Sequence, residues 1–447
     1  MAAPAPAFVQ VGATRDGLDP YRVGAATRGL TTVLVETPGY LAWRRQLGRA
    51  PFDKEIPVEH PHDPRRLLAA LHTAGVRPAV LLAGFERYAA AAFDAAATLA
   101  VPPASGNQPP FHAPDKAGQR TALARSAPQV RQPRHALTRQ DHSQVAIPYP
   151  RVVKPVDGGG GLGVYLVRNA EDERRARRVL ARTENYGGGA FTGTLTEEYV
   201  AGTEFSVQGV ARHGRAHVLS VCEKLVLLEP APEDGLCGFR EAGHLVLPPA
   251  TADPRLAALA QTCLTTFGYH DGPFHLDAIA ARDGGLHFVE MGFRLSGGGL
   301  VALTERALGV RWADLALDVH LGAVSIPDLQ APPDNQGPFL GQLACTRPAQ
   351  LDHAARLART GASVDILPAA PVPDEASLDP AHAAVLASDR QRHAVVLGRV
   401  IVQARTREDA RRLLTDCATA QGEDPCAASS SRKATSTQPP SWTPRSA

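Results

Sequence analysis

The first 100 residues alternate between short apolar segments and amphipathic helices, and this alternation constrains the fold more than any other feature. The segments "FVQVG", "TTVLVET" and "PAVLLAG" are predicted to be buried strands. The segments "LDPYRVGAATRGL", "DPRRLLAALHTAG" and "ERYAAAAFDAAATLA" have the apolar spacing of helices, and the second begins with an Asp cap. Because parallel strands are joined by helical crossovers, this order predicts a doubly wound parallel sheet.

The bulk composition is typical of a globular chain with several domains. Its 447 residues are 44% hydrophobic and 21% charged, and the net charge of +2 provides no field for nucleic acid or a membrane surface. No segment approaches the ~20 apolar residues of a membrane span, and the start lacks the features of a signal peptide. The six cysteines are scattered without metal-binding spacing. We therefore expect a cytoplasmic protein.

The stretch "RVVKPVDGGGGLGVYLV", residues 151–167, contains an unusual glycine run. Gly158, Gly160 and Gly163 fit G-x-G-x-x-G, but the dinucleotide fingerprint requires a helix after the loop, and here both flanks are strand-like. No Gly-Lys-Ser/Thr follows, which excludes a Walker A loop. The pattern predicts a hairpin. A surface hairpin without a ligand is one interpretation; the other is a phosphate-binding loop, favoured by Lys154 on the entering strand.

Two carboxylates lie in the predicted hairpin "FHLDAIAARDGGLHFVEMGFRLSGGG". If the turn is at residues 282–285, Asp277 and Glu290 lie at similar heights on adjacent strands. Paired carboxylates suit magnesium, a hard cation that prefers oxygen ligands. Arg294 would then place a guanidinium near a transferring phosphoryl group. A solvated pair of acids on an edge hairpin is the structural alternative.

Between and beyond these motifs, further elements are predicted. "DKAGQRTALARS" is a helix opened by Asp115, and "AEDERRARRVLART" and "DPRLAALAQTCLTTFG" are helices. "LTEEYVAGTEFSVQGVARHGRAHVLSVCEK" is a run of strands with turns at Ala201-Gly202 and His213-Gly214. A Pro-rich break precedes residue 338, and the Ser/Thr/Pro-rich end of the chain is predicted to be disordered.

The order of these motifs resembles the ATP-grasp superfamily over about residues 8 to 420. Within it, "FREAGHLVLPP" followed by "TTFGYHDGPFHLDA" is similar to the L-amino acid ligase type, the group that contains alanine–anticapsin ligase. The resemblance implies an α/β chain with an N-terminal doubly wound parallel sheet (pre-ATP-grasp), a two-lobed α+β ATP-grasp module and a small C-terminal α+β region. The expected boundaries are 1–105, 106–330 with a lid at about 149–198, 331–422, and a disordered tail at 423–447.

The resemblance also implies ATP and Mg²⁺ as cofactors, with Mn²⁺ as a substitute for Mg²⁺. Lys116 and Lys154 would contact the phosphates, with Lys154 also placed to touch the adenine. Asp277 and Glu290 would ligate magnesium, and Arg294 would steady the acyl phosphate. The glycine loop, which would fold over the phosphates, consists of Gly158, Gly159, Gly160, Gly161 and Gly163. The hinge, whose backbone would read the adenine edge, consists of Glu198, Tyr199 and Val200. Glu204 would be the carboxylate that binds the ribose.

The chain departs from the family pattern at one position. The family commonly shows Glu-x-Asn after the last strand, where the Asn helps to hold metal, but Gly292 stands in that position here. Water or Ser296 could replace the missing oxygen, so the number of metal ions is open. Lys224, Glu241 and His244 are further candidates for the substrate pocket, with a structural role as the alternative for each.

The resemblance implies carboxylate activation. ATP would phosphorylate a substrate carboxylate, and an amine would attack the acyl phosphate to form an amide, in an amino acid or dipeptide ligase. The partners would be a small-molecule carboxylic acid and an amine, with no nucleic acid and no membrane; a homodimer is compatible with this. An ATP-grasp enzyme with another acceptor, such as bicarbonate, and a non-catalytic ATP-binding protein are the alternatives.

Overall fold

The computed structural model describes most of the chain. The described residues are 5–14, 18–103, 107, 111–138, 146–183, 190–230, 235–323, 338–369 and 396–420. The predicted disordered tail at 423–447 lies outside them, as does most of the Pro-rich break before residue 338. No helix among the described residues is long and apolar enough to cross a membrane.

The N-terminal unit contains the predicted parallel sheet, with strand order β3-β2-β1-β4. Its strands are β1 (Pro6–Val11), β2 (Thr31–Glu36), β3 (Lys54–Pro57) and β4 (Arg77–Ala83). Its helices are α1 (Tyr21–Thr27), α2 (Pro38–Gln46), α3 (Pro64–Thr73) and α4 (Ala89–Leu99). The sequence analysis found all of these except α2 and β3, which are short and lack a clear apolar period.

Both faces of this sheet are covered, so the doubly wound prediction is confirmed. Phe8 and Leu34 pack with helices α1 and α2 on one face, whereas Val9 and Val33 pack with α3 and α4 on the other. Adjacent residues of a strand point to opposite faces, which explains why these buried strands are apolar throughout. The carboxyl ends of the strands therefore form one edge, where loops can meet a ligand.

A second, twelve-stranded sheet contains the rest of the strands. The chain enters it through α5 (Lys116–Ser126), which the side chain of Asp115 caps by accepting a hydrogen bond from Gly118 N, as the sequence predicts. The first lobe contains β5 (His135–Thr138), β6 (Arg151–Pro155), β7 (Tyr165–Val167), α6 (Ala170–Leu180) and β8 (Thr194–Glu198). These strands are ordered β5-β8-β6-β7, and α6 covers one face.

The glycine run is the tip of the antiparallel β6–β7 hairpin, as the sequence predicts. Gly160, Gly161 and Gly163 have φ between +57° and +79°, a region in which only glycine is free of strain. A Cβ on Gly163 would lie 2.5 Å from a methyl of Leu180, so this glycine is also required by close packing with α6. The loop therefore has one defined path rather than being a generic flexible turn.

The second lobe carries the long antiparallel strands. These are β9 (Gly202–Arg212), β10 (Arg215–Pro230), β11 (Cys237–Leu247), β12 (Gly272–Ala281) and β13 (Leu286–Gly292). Helices α7 (Pro254–Phe267), α8 (Leu300–Leu308) and α9 (Trp312–Leu321) accompany them. The predicted turns at 201–202 and 213–214 are found where β8, β9 and β10 meet. The sequence analysis did not identify β11 as a strand.

The C-terminal residues are not a separate sheet but extend the second one. They form β14 (Phe339–Cys345), α10 (Pro348–Arg359), β15 (Val364–Pro368), β16 (Gly398–Ala404) and α11 (Arg407–Thr419). Strand β14 pairs with residues 243–246 of β11, whereas β7 pairs with residues 237–238 of the same strand. Strand β11 thus pairs with both the first lobe and the C-terminal strands and joins them in one sheet.

Candidate active site

The β12–β13 hairpin brings the two predicted metal ligands together. The register pairs Asp277 directly with Glu290 and, two residues away, His275 with Gly292. Residues two apart on a strand point to the same face, so all four lie on one face of the hairpin. The sequence-based placement of the turn is correct, and the two carboxylates converge as predicted.

Asp277 has one carboxylate oxygen that is engaged and one that is not. Oδ2 accepts a hydrogen bond from Lys224 Nζ at 2.8 Å, whereas Oδ1 is buried and has no hydrogen-bond partner among the described residues. A buried oxygen without a partner is costly unless a ligand satisfies it. Together with the facing carboxylate of Glu290, this oxygen fits a hard divalent cation. As the side chains stand, no group of three or more ligand residues in the described part of the chain is close enough to hold one.

Glu290 pairs with Lys116. The ammonium Nζ lies 2.6 Å from a carboxylate oxygen of Glu290 and donates to the carbonyl oxygen of Gly158 at 2.6 Å. Burial opposes ionisation of Glu290, but the charge and hydrogen bond of Lys116 outweigh it and lower its pKa to about 2. Lys116 therefore connects α5, the glycine loop and a predicted metal ligand, and this contact places the glycine loop over the hairpin.

Lys224 lies at the centre of three carboxylates. Its Nζ is 2.7 Å from Glu204, 2.7 Å from Glu241 and 2.8 Å from Asp277, which belong to strands β9, β11 and β12. Burial lowers the pKa of Lys224, but Asp277, Glu204 and Glu241 together raise it well above its usual value. Burial raises the pKa of Glu204; Lys224 opposes this, while the charges of Asp277 and Glu241 add to it. We call these four residues the Lys224 cluster.

Lys154 is buried beside a carboxylate that the sequence analysis missed. Its Nζ lies 2.6 Å from Glu197, which also binds Arg120 at 2.8 Å. Burial lowers the pKa of Lys154, while Lys154 and Arg120 hold the pKa of Glu197 below its usual value despite burial. The predicted neighbour, Glu198, directs its side chain to Arg134 at 3.0 Å on the surface.

The predicted hinge is a short connection between the two lobes. Residues 199–201 join β8 to β9, and the side chains of Tyr199 and Val200 are half-buried. The ring of Tyr199 lies 6.3 Å from that of Phe239 on β11, centroid to centroid. The prediction for Glu198, Tyr199 and Val200 concerns their backbone groups, and it remains a prediction.

Arg294 connects the hairpin to the N-terminal unit. It forms an ion pair with Glu86, which follows β4 at the carboxyl edge of the parallel sheet. Gly159 of the glycine loop has Glu86 as its nearest neighbour, with a Cβ–Cβ separation of 3.9 Å if it carried a side chain. The glycine loop, the parallel-sheet edge and the segment after the hairpin therefore meet around Glu86 and Arg294.

The structure explains the departure at Gly292. A Cβ on Gly292 would lie 2.2 Å from Cε1 of His275, so the imidazole occupies the space that an asparagine side chain would need. The Nδ1 atom of His275 is 3.3 Å from the carbonyl oxygen of Arg294. His275 was not identified from the sequence, although its pairing with position 292 follows from the same register that aligns Asp277 and Glu290.

An open depression of about 390 Å³ lies away from this site, beside the β12–β13 turn and α7. It contains Arg131, Arg255 and Asp283, but Arg131 pairs with Asp283 and Arg255 with Asp253. The candidate site is therefore defined by its converging charges rather than by cavity size.

Comparisons with known proteins agree with this geometry. Residues 147–302 match the ATP-grasp domain family, which covers the first-lobe hairpin and the β12–β13 hairpin. This segment is therefore similar to the ATP-grasp domain that the order of motifs predicts, and the fold prediction is confirmed.

Its relatives include ligases. The chain is 25% identical over 161 residues to dapdiamide A synthase of Enterobacter agglomerans, and 32% identical over 93 residues to the D-alanine–D-alanine ligase of Granulibacter bethesdensis. The first match covers 36% of this chain and 37% of dapdiamide A synthase. The second covers 21% of this chain and 28% of the D-alanine–D-alanine ligase. The L-amino acid ligase of Bacillus licheniformis has the same fold, with a TM-score of 0.63, 16% identity, and 93% of this chain and 98% of that chain covered.

Proposed function

We propose that this protein is an ATP-dependent ligase that activates a carboxylate as an acyl phosphate and joins it to an amine, releasing ADP and phosphate. The observation that carries the proposal is the pairing of Asp277 with Glu290 on one face of the hairpin, with Lys116 joining Glu290 to the glycine loop. The ligases among its relatives support the same reaction class.

In this proposal ATP lies between the two lobes. Lys116, Lys154 and the glycine loop contact its phosphates, the backbone of residues 198–200 reads the adenine edge, and Glu204 accepts from the ribose hydroxyls. Asp277 and Glu290 hold Mg²⁺, which neutralises phosphate charge when bound. Phosphoryl transfer needs positioning and charge neutralisation rather than a protein nucleophile, and these residue types provide both.

The second half-reaction needs a site that excludes water, because an acyl phosphate hydrolyses readily. In this proposal the carboxylate and amine bind beside Arg294 at the edge of the parallel sheet, where Arg294 pairs with Glu86. Among the described cysteines close to the site, none is suited to act as a covalent nucleophile. Burial raises the pKa of Cys222 to about 12, which leaves it protonated.

The decisive experiment traps the intermediate. With ATP, magnesium, hydroxylamine and a panel of amino acids, the enzyme is expected to form hydroxamate and ADP in equal amounts. AMP and pyrophosphate as the stoichiometric products would contradict the proposal, because an acyl adenylate requires attack at the α-phosphorus. Hydroxamate with no amide from any amine would favour an ATP-grasp enzyme with another acceptor. ATP binding without any turnover would indicate a non-catalytic ATP-binding protein.

Arg294→Lys provides the matched test of the acyl phosphate contact. Lysine keeps the charge but loses the planar pair of donors that suits a phosphoryl group. We expect kcat to fall by at least about tenfold while the Kd of ATP, measured by calorimetry, changes less than about threefold. Equal losses in kcat and ATP affinity would place Arg294 in nucleotide binding instead.

A further inference from the structure

A β-bulge at Val289 puts the two proposed metal ligands on the same face of the β12–β13 hairpin. Near the turn, Ala278 pairs with Phe288. The residue before Ala278 on β12 is Asp277, which pairs with Glu290, so Val289 is an extra residue on β13. In a regular ladder Val289 would lie opposite Asp277, and Glu290 would point to the other face of the hairpin. The bulge is therefore the feature that turns the Glu290 carboxylate towards Asp277.

Around this bulge, the outer edge of β13 is held by side chains of α5 instead of by another strand. Strand β13 is the last in the order of the large sheet. Arg120 Nη2 donates to the carbonyl oxygen of Val289 at 2.6 Å. The carboxamide of Gln119 accepts a hydrogen bond from Met291 N at 2.9 Å and donates one to Met291 O at 2.8 Å. Because Val289 and Met291 flank Glu290, these bonds fix the backbone on both sides of the proposed ligand.

One face of α5 provides all the contacts to this part of β13. Lys116, Gln119 and Arg120 are three and four residues apart, so they lie on the same side of the helix. Arg120 has a second role, because it also forms a buried ion pair with Glu197. The carboxamide of Gln119, which is 4% exposed, bonds only to backbone in the described structure: to β13 and, at 3.1 Å, to the carbonyl oxygen of Pro114. Gln119 is therefore the residue whose contact with the bulge can be removed without breaking an ion pair.

We propose that Gln119 is a positioning residue for the metal site: its carboxamide, acting through the backbone of Met291, holds the bulge that directs Glu290 towards Asp277. The inference rests on the proposed function, because it takes Asp277 and Glu290 as the ligands of Mg²⁺. Groups that orient a metal ligand without touching the metal commonly change metal affinity by about 10- to 100-fold. Without the bonds from Gln119, β13 is free to return to regular pairing, in which Glu290 points away from Asp277.

The test compares two buried glutamines that bind backbone groups in the same way. Gln119→Met keeps the approximate size of the side chain and removes its hydrogen bonds to β13. Gln350→Met is the matched control in the C-terminal elements. Gln350 is fully buried, its Oε1 accepts from Thr346 N at 2.8 Å, and its Nε2 donates to Ala418 O at 2.8 Å. Both variants should be less stable in urea, but only Gln119→Met should alter the metal site.

Calorimetry of the full chain measures the affinity for a non-hydrolysable ATP analogue, once with Mn²⁺ and once in EDTA. We expect Gln119→Met to weaken binding of the Mn²⁺–analogue complex at least about tenfold and to leave binding of the metal-free analogue within about twofold of wild type. Gln350→Met should change neither affinity by more than about twofold. A general loss of structure would instead weaken binding under both conditions.

The inference would be overturned if folded Gln119→Met bound the Mn²⁺–analogue complex as tightly as wild type, or if both glutamine variants lost affinity equally. If Gln119→Met does not fold, Gln119→Asn is judged by the same two affinities, since its carboxamide is one methylene too short to reach both backbone groups of Met291. A wild-type protein that gains no affinity from Mn²⁺ would overturn the proposed metal site together with this inference. Hydroxamate trapping by wild type tests the ligase reaction separately, so failure of the Gln119 variants alone leaves that reaction standing.

Discussion

At the residue scale, Glu197 and Glu198 show how a shift of one position along a strand changes the surroundings of a carboxylate. Glu197 and Glu198 are adjacent and chemically identical, yet Glu197 is buried between Lys154 and Arg120 while Glu198 reaches Arg134 on the surface. The difference comes from strand alternation, which sends neighbours to opposite faces. The sequence analysis named Glu198 only for its backbone groups in the hinge and assigned no role to Glu197, because the motif alone does not fix which acid faces inward.

This pair allows a matched substitution. Glu197→Gln leaves two buried cations without a carboxylate, and we expect it to lower the free energy of unfolding by about 3 kcal/mol. Glu198→Gln removes an exposed ion pair and should cost less than about 1 kcal/mol. Urea unfolding of the nucleotide-free protein measures both. Equal losses for the two variants would show that Glu197 is not the buried partner of Lys154 and Arg120.

Gly292 and His275 should behave as a packed pair. Gly292→Asn introduces the residue that the superfamily commonly has, but its side chain would meet the buried imidazole, so we expect a loss of about 1–3 kcal/mol in unfolding free energy. Adding His275→Ala should recover at least half of that loss, giving a non-additive double-mutant cycle. An Asn variant as stable as wild type, measured by the same urea titration, would contradict this account.

At the element scale, the hairpins were the most predictable parts of the chain. The β6–β7 and β12–β13 hairpins follow from β-branched flanks and Gly-rich turns, which are local signals. Strand β11 was missed because its residues after Arg240 include Glu241, Gly243 and His244, whose roles depend on distant neighbours. The packing of His275 against Gly292 was missed because the register sets the two residues opposite each other but does not show how closely the imidazole approaches.

The glycine hairpin allows a prediction about its backbone geometry. Gly163→Ala would place a side chain at φ +73° and 2.5 Å from Leu180, whereas Gly159→Ala meets nothing closer than 3.9 Å. We expect Gly163→Ala to cost ~1–2 kcal/mol locally and to speed amide exchange in residues 157–164 by roughly 5- to 30-fold. Hydrogen exchange read by mass spectrometry measures this, with Gly159→Ala as the control. Similar exchange in both variants would contradict the required backbone geometry.

At the scale of the whole molecule, the N-terminal unit and the part of the chain that contains the twelve-stranded sheet share hydrophobic cores. Phe93 of α4 packs against Phe111, whose ring lies 4.6 Å from Phe293 after β13, centroid to centroid. On the other side, Arg28, directly after α1, binds Asp318 of α9 at 2.7 Å. These contacts hold the edge of the parallel sheet against the hairpin, which is why Arg294 meets Glu86. The contacts of Phe111 with Phe293 and of Arg28 with Asp318 could not be predicted from sequence, because they join segments that are far apart in the chain.

The buried ion pairs should make the free energy of unfolding depend on pH in the acidic range. The pKa of Glu290 is about 2 in the folded chain against an ordinary value of 4.5, so its ion pair with Lys116 stabilises the fold fully above the ordinary value. That contribution is lost as the pH falls from about 4.5 towards 2. We expect Glu290→Gln to flatten the dependence of unfolding free energy on pH in this window, as measured by urea titration at each pH. Parallel curves for the variant and wild type would contradict the pairing.

The pairing of the lysines also determines which of them an amine-reactive reagent can modify. Lys116, Lys154 and Lys224 are enclosed and bound to carboxylates, whereas Lys54 is exposed. Acylating reagents need an accessible, unprotonated amine, so in the described part of the chain they should label Lys54 and spare the site lysines. The protein can therefore be tethered or labelled through Lys54 with the site left intact, and acylation at Lys116 would report that the hairpin has opened.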